Sequence, residues 1–286
     1  MRNLNYSELE INITAWINDY ANSANIDTLV LGVSGGIDSA VVSTLSAKTG
    51  KKVVLLEMPI HQNVDQVTRA KKHIDWLKSN YDNVESYQVD LTNTYESMVE
   101  TLSQTIDFNK DEDRKLLTLA NTRSRIRMST LYAYSNMYKG LVVGTGNKVE
   151  DFGVGFFTLG GDGQVDMSPI ADLMKSEVYV LGKHMGVINE ILEARPTDGL
   201  WDDGRTDEDQ IGATYDELEW AMDFIRDNTR MEQGIKPFLD YEESDISERE
   251  REVLAIYLDR HNKNKHKMVS IPVFRISDEL YTEEHA

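Results

Sequence analysis

Between the apolar run Thr28–Val33 and a helical stretch the chain reads Ser34-Gly35-Gly36-Ile37-Asp38-Ser39, a turn holding two glycines, two hydroxyls and a carboxylate. Free N–H groups at a helix N-terminus carry partial positive charge, and glycines let an anion approach the main chain, so the segment reads as a phosphate cradle. It is neither a Walker A loop nor a G-x-G-x-x-G fingerprint. Gly32-Val33-Ser34-Gly35-Gly36 also satisfies G-x-S-x-G, the nucleophile elbow of serine hydrolases. Against the elbow, only about 27 residues precede the strand and no HGGG-type oxyanion segment occurs. A purely structural turn is the third reading, in which Asp38 is a first-turn acid complementing the helix dipole.

The elements around this turn alternate. A strand at Thr28–Val33 leads to a helix at about Asp38–Thr49, a strand at Lys52–Glu57, a helix at about Asn63–Asn80 and a strand near Ser86–Leu91. Helical periodicity follows at about 93–105 and 113–138, then a strand at Gly140–Gly144. This pattern predicts an α/β fold: a parallel sheet with helices on both faces, a Rossmann-like three-layer sandwich. Ligands of such sheets sit outside the carboxyl ends of the strands, which singles out the turns after Val33, Glu57 and Gly144. The glycine-rich stretch at about 145–170 reads as loop, a helix resumes near Lys175, and the acidic stretch Thr197–Asp209 reads as a mobile or functional loop before a helix at about 210–228. Ser247 and Glu250 form a capping box that opens a helix to about Asn264. With no repeat or linker, residues 1–286 read as one domain, its core at about 25–200 and a helical and loop extension at about 201–286.

Composition prunes the functions. There is no cysteine, which excludes disulfides, thiolate metal sites and cysteine nucleophiles. A formal net charge of −19 repels polyanions, so nucleic acid is not the expected partner. No apolar stretch is long enough to span a membrane, and the start MRNLNYSELE lacks a secretory h-region. A cytoplasmic protein with no membrane partner is expected.

The string S-G-G-x-D-S after a strand resembles the pyrophosphate loop of the N-type ATP pyrophosphatases. Further segments are similar, in order, to ammonia-dependent NAD synthetases: Asn121–Met128, Val142–Glu150, Gly155–Thr158, Gly161–Gly163, Asp166–Ile170, Lys175, Arg195–Thr197 and His266-Lys267. The resemblance implies ATP-dependent adenylation of the carboxylate of nicotinate adenine dinucleotide, then displacement of AMP by ammonia to give NAD. It also implies a homodimer with Mg²⁺ held by Asp38 and Glu150, and a catalytic role for Asp38 and Lys175. ATP would contact Gly32, Val33, Ser34, Gly35, Gly36, Ile37, Asp38, Ser39, Thr145, Lys175 and Thr197. The dinucleotide would contact Arg125, Asp166, His266 and Lys267. Arg125 faces away from Arg123 and Arg127, because paired residues on a helix advance by about 200°. Apolar or small residues on several faces of the 113–138 helix, including Leu116, Leu119, Met128, Leu131 and Met137, suit a helix buried twice, once by a partner subunit, and suit a helix wholly inside one monomer almost as well. Another adenylating ligase of the same loop family and a silent ATP-binding protein are the competing readings.

Three departures stand out. Leu159 occupies the position where many family members place a lysine that touches the dinucleotide. Glu57 opens a segment that often begins with a basic residue. One extra residue lies between Glu150 and Gly155 relative to some members.

Overall fold

Four parallel strands, β1 (Thr28–Gly32), β2 (Lys52–Glu57), β3 (Val84–Gln88) and β4 (Gly140–Val142), form a sheet of order β3-β2-β1-β4. This computed structural model describes residues 2–197, 199–200, 206–230, 238–242, 245–277 and 280. The connecting helices are α1 (Tyr6–Ser23), α2 (Ile37–Lys48), α3 (Val64–Asn80), α4 (Thr92–Ser103) and α5 (Glu112–Tyr138). Beyond the sheet come α6 (Lys175–His184), α7 (Asn189–Leu192), α8 (Asp207–Ile211), α9 (Tyr215–Asn228) and α10 (Glu248–Asn264), with a small hairpin of β5 (Thr229–Arg230) and β6 (Phe238–Leu239).

Continuous apolar runs in β1 and β2 are what a sheet covered on both faces demands. Leu29, Leu31, Val53 and Leu55 pack into one core with α1, α2, α3 and α6. Val30, Val54, Leu56 and Val142 point to the other face, against Met128 and Leu131 of α5 and Tyr95 of α4. A third cluster joins α9 and α10 to the 149–154 turn through Leu218, Val253 and Tyr257.

Several boundaries differ from the sequence expectation for identifiable reasons. β3 begins at Val84, where it pairs with Val53, and Asp90 Oδ1 then accepts from Thr92 N (2.9 Å) to open α4. The 145–170 stretch is not all loop: Val149–Val154 form a π-helical turn at the position of the extra residue, as an inserted residue in a helical turn produces. The helix expected at about 210–228 is split at Gly212, which takes φ +90°. The acidic stretch before it lies partly outside the described residues, at 198 and 201–205. No helix among the described residues is long and apolar enough to cross a membrane.

Candidate active site

β1 and β2 are in register Gly32 to Leu56, so the turns that follow them open side by side. Gly36 is the N-cap of α2 and no side chain caps that helix, leaving its first N–H groups available to an anion. Gly35 takes φ +83°, and a Cβ there would lie 2.5 Å from the Gln66 carbonyl oxygen of α3, so only glycine lets the turn pack this tightly. Arg69 Nε, also on α3, donates to the Gly35 carbonyl (3.4 Å). Ser34 Oγ pairs with Ser39 Oγ (3.2 Å) and accepts from the Gly36 N–H (3.2 Å). Among the described residues no imidazole hydrogen-bonds Ser34, which leaves the nucleophile-elbow reading without its base.

Asp38, on the first turn of α2, meets two residues from distant parts of the chain. Lys175, the first residue of α6 and only 4% exposed, donates to Asp38 Oδ2 (2.5 Å) and to Glu150 Oε1 (2.9 Å) on the π-helical turn. Asn147 Nδ2 donates to Asp38 Oδ1 (3.1 Å), while Asn147 Oδ1 accepts from the N–H groups of Val149 and Glu150 (3.1 Å each), tying the π turn to α2. Tyr215 on α9 donates its hydroxyl to Glu150 Oε1 (2.6 Å) and sets its ring 4.8 Å from Lys175 Nζ.

Burial opposes the charge on Lys175, yet the carboxylates of Asp38 and Glu150 outweigh it and hold the ammonium pKa above its ordinary value. Burial also opposes ionisation of Glu150, but Lys175 and the Tyr215 hydroxyl keep it below the usual carboxylate range. Burial pushes Asp38 up and Lys175 only partly offsets this. Asp151, buried beside the charges of Glu150, Asp162 and Asp38, is pushed well above its ordinary value.

The N-terminus of α6, which carries Lys175, has its own buttress. Glu177 is fully buried and accepts from the Met174 N–H (2.8 Å) and from Arg2 Nε and an Arg2 terminal nitrogen (2.8 and 2.6 Å). Glu219 receives the Ser176 N–H and hydroxyl (2.8 and 2.6 Å). Burial opposes ionisation of Glu177, but Arg2 overrides it and holds its pKa below the usual range. The stabilisation is therefore present at neutral pH and lost as pH falls through that depressed value. Arg2→Ala leaves Glu177 charged and buried without its cation, and is expected to cost about 2–4 kcal/mol by urea denaturation, with Glu177→Gln in the same chain recovering most of it.

A cavity of about 800 Å³ runs from the Ser34–Ser39 turn past β2 and β4 to α10. Its walls include every residue from Gly32 to Ser39, with Thr145, Glu150, Lys175, Thr197, His266 and Lys267. Lys267 Nζ donates to the carbonyls of Gly155 (2.5 Å) and Phe157 (2.7 Å), pinning the end of α10 to the glycine-rich segment. Arg125 and Asp166 are not in the cavity wall. Arg125 is exposed and donates to the Leu159 carbonyl (3.1 Å), facing away from Arg123 and Arg127 as the helical arithmetic requires. Asp166 accepts from the Val142 N–H (2.7 Å), closing the β4 edge.

Sequence reading missed Asn147, Asp151, Tyr215 and the Arg2–Glu177 pair. Asn147 falls within the family-like segment Val142–Glu150 but carries no implied role, whereas nothing in the spacing of Tyr215 announces that α9 carries it to Glu150. For a divalent cation, Asp38 and Glu150 offer hard carboxylate oxygens from separate elements, held near each other by their shared contact with Lys175 Nζ. No cluster of three or more candidate ligands occurs among the described residues. Two carboxylates completed by phosphate oxygens and water are what Mg²⁺ takes, so the residues fit it.

Residues 10–268 match the NAD synthase family. The chain is 38% identical over 218 residues to the NH(3)-dependent NAD(+) synthetase of Mycoplasma pneumoniae, covering 76% of this chain and 81% of that protein. It is 33% identical to the enzyme of the same name from Methanosarcina acetivorans, covering 94% and 98%. Among solved structures it is similar to the NMN synthetase from Francisella tularensis, with TM-score 0.78 and 29% identity over 96% of this chain and all of that one. With the family model and these relatives in agreement over most of its length, the chain belongs to the NAD synthase family of carbon–nitrogen ligases.

Proposed function

We propose that the cavity binds ATP with its phosphates on the Ser34–Ser39 turn and adenylates the carboxylate of nicotinate adenine dinucleotide, which ammonia then converts to the amide. A carboxylate oxygen attacks the α-phosphorus and the bond to pyrophosphate breaks. Ammonia attacks the activated carbonyl carbon, loses a proton, and the bond to AMP breaks. The observation that carries this is the Asp38–Lys175–Glu150 centre beside the open N-terminus of α2. Lys175 is a fixed cation for the departing pyrophosphate, and the α2 N–H groups are preorganised donors for charge that develops there. Mg²⁺ held by Asp38 and Glu150 would neutralise phosphate charge. Thr145 and Thr197 flank the nucleotide in this reading, and His266 and Lys267 bound the acceptor end. Arg125 and Asp166, outside the cavity, suit an acceptor site completed by a second copy of the chain. A homodimer is part of this reading, because Arg125 and Asp166 lie outside the cavity of a single chain.

The mononucleotide acid is the second acceptor reading. The likeness to an NMN synthetase favours it, as does Leu159, which presents an exposed apolar side chain where a basic contact to the dinucleotide is often found. Incubation with ATP, Mg²⁺, ammonium and either acid is expected to give amide, AMP and pyrophosphate in equal amounts, with the higher kcat/KM for the dinucleotide. A higher kcat/KM for the mononucleotide would reverse the acceptor assignment, and no ATP turnover with either would remove the ligase reading.

A further inference from the structure

Glu57 is an acid in a place that calls for explanation. It is the last residue of β2 and lies beside Val33 and the phosphate turn, given the Gly32–Leu56 register. Alternation along β2 puts it on the face of Leu55, toward α3. It is 8% exposed, belongs to the cavity wall, and its Oε1 is buried with no hydrogen-bond partner. Burial pushes its pKa up, and Lys71 on α3 pulls the other way without forming a hydrogen bond to it. A buried carboxylate oxygen without a donor is costly and points to a missing partner.

A carboxylate accepts hydrogen bonds and repels phosphate, so Glu57 does not serve the triphosphate. The donors an ATP molecule offers next to its phosphates are the hydroxyls of its sugar. In dinucleotide-binding α/β folds, an acid at the end of the second strand about 20 residues past the glycine turn reads sugar hydroxyls in this way. Glu57 holds the equivalent place relative to Gly36 on a fold whose turn is of a different type. The α3 segment Gln66–Ala70, which packs on Gly35, closes the same corner and brings sugar and phosphate sites within one nucleotide's reach.

We infer that Glu57 is a specificity-determining residue that accepts hydrogen bonds from the ribose hydroxyls of ATP, making the enzyme discriminate against deoxyribonucleotides. This rests on the ATP-site reading above and is tested without the acceptor. Binding of the magnesium complexes of ATP, 2′-deoxyATP and 3′-deoxyATP to the full chain is measured by calorimetry. At least one deoxy analogue is expected to bind about tenfold or more weaker than ATP, because a site built to receive a hydroxyl rejects the analogue lacking it. Glu57→Ala should bring the three affinities within about twofold. Should that variant unfold, Glu57→Gln, which keeps an acceptor oxygen but not the charge, should still narrow the difference at least threefold.

Equal binding of all three nucleotides by the unaltered protein, or discrimination that survives both substitutions, would overturn the inference while leaving the ATP site standing. Discrimination lost instead against purine riboside triphosphate would give Glu57 to the base and overturn the sugar assignment. No ATP binding at all would overturn the ATP-site reading and this inference together.

Discussion

Asp38→Asn is expected to lower kcat by about 1,000-fold while leaving the fold intact. Asparagine matches the volume of aspartate, and Lys175 keeps its second carboxylate, Glu150, at 2.9 Å. What is lost is an anionic oxygen in the cavity wall at the first turn of α2. A neutral amide oxygen is a poor substitute in the coordination of a hard divalent cation. The change should therefore appear as a weakened dependence of rate on Mg²⁺ as well as a lower kcat, in steady-state assays across a magnesium titration. Full activity in this variant would remove Asp38 from the mechanism.

Lys175→Met should reduce kcat/KM for ATP by about 100- to 1,000-fold and should also destabilise the protein, by about 3–5 kcal/mol, because it leaves two buried carboxylates facing each other. The two consequences can be separated. A divalent cation between Asp38 and Glu150 would relieve the repulsion that the lost ammonium used to relieve, so Mg²⁺ should raise the melting temperature of Lys175→Met more than that of the unaltered protein. Equal protection of both would mean that Asp38 and Glu150 do not form a cation site together. In that case Lys175 would stand as an ordinary buried ion pair.

Much of this was legible in the residues. The β1 and β2 runs, the glycine turn and the Ser247–Glu250 box each rest on a local rule, and the structure reproduces them within a residue or so. α1 was open to the same treatment, since Asn5 caps it by accepting from the Glu8 N–H (3.3 Å) and Ile13, Ile17 and Ala21 recur at helical spacing on its inner face. The rest depended on tertiary placement. Tyr215 reaches Glu150 across 65 residues of chain and Lys175 reaches Asp38 across 137. No periodicity encodes such meetings, and only the family resemblance placed Lys175 at the site beforehand. The single extra residue after Glu150 is visible as a departure, but its product, a π-helical turn that seats Glu150 beside Lys175, emerges only from packing against α9 and α10.

The most direct measurement follows the oxygen of the acceptor carboxylate. With that carboxylate labelled in ¹⁸O and the reaction run with ATP, Mg²⁺ and ammonium, attack on the α-phosphorus requires one labelled oxygen to leave in AMP, with none in pyrophosphate. Label in AMP matching amide formation is the expected result. Label in pyrophosphate or orthophosphate, or amide formed with unlabelled AMP, would contradict adenylation at this site.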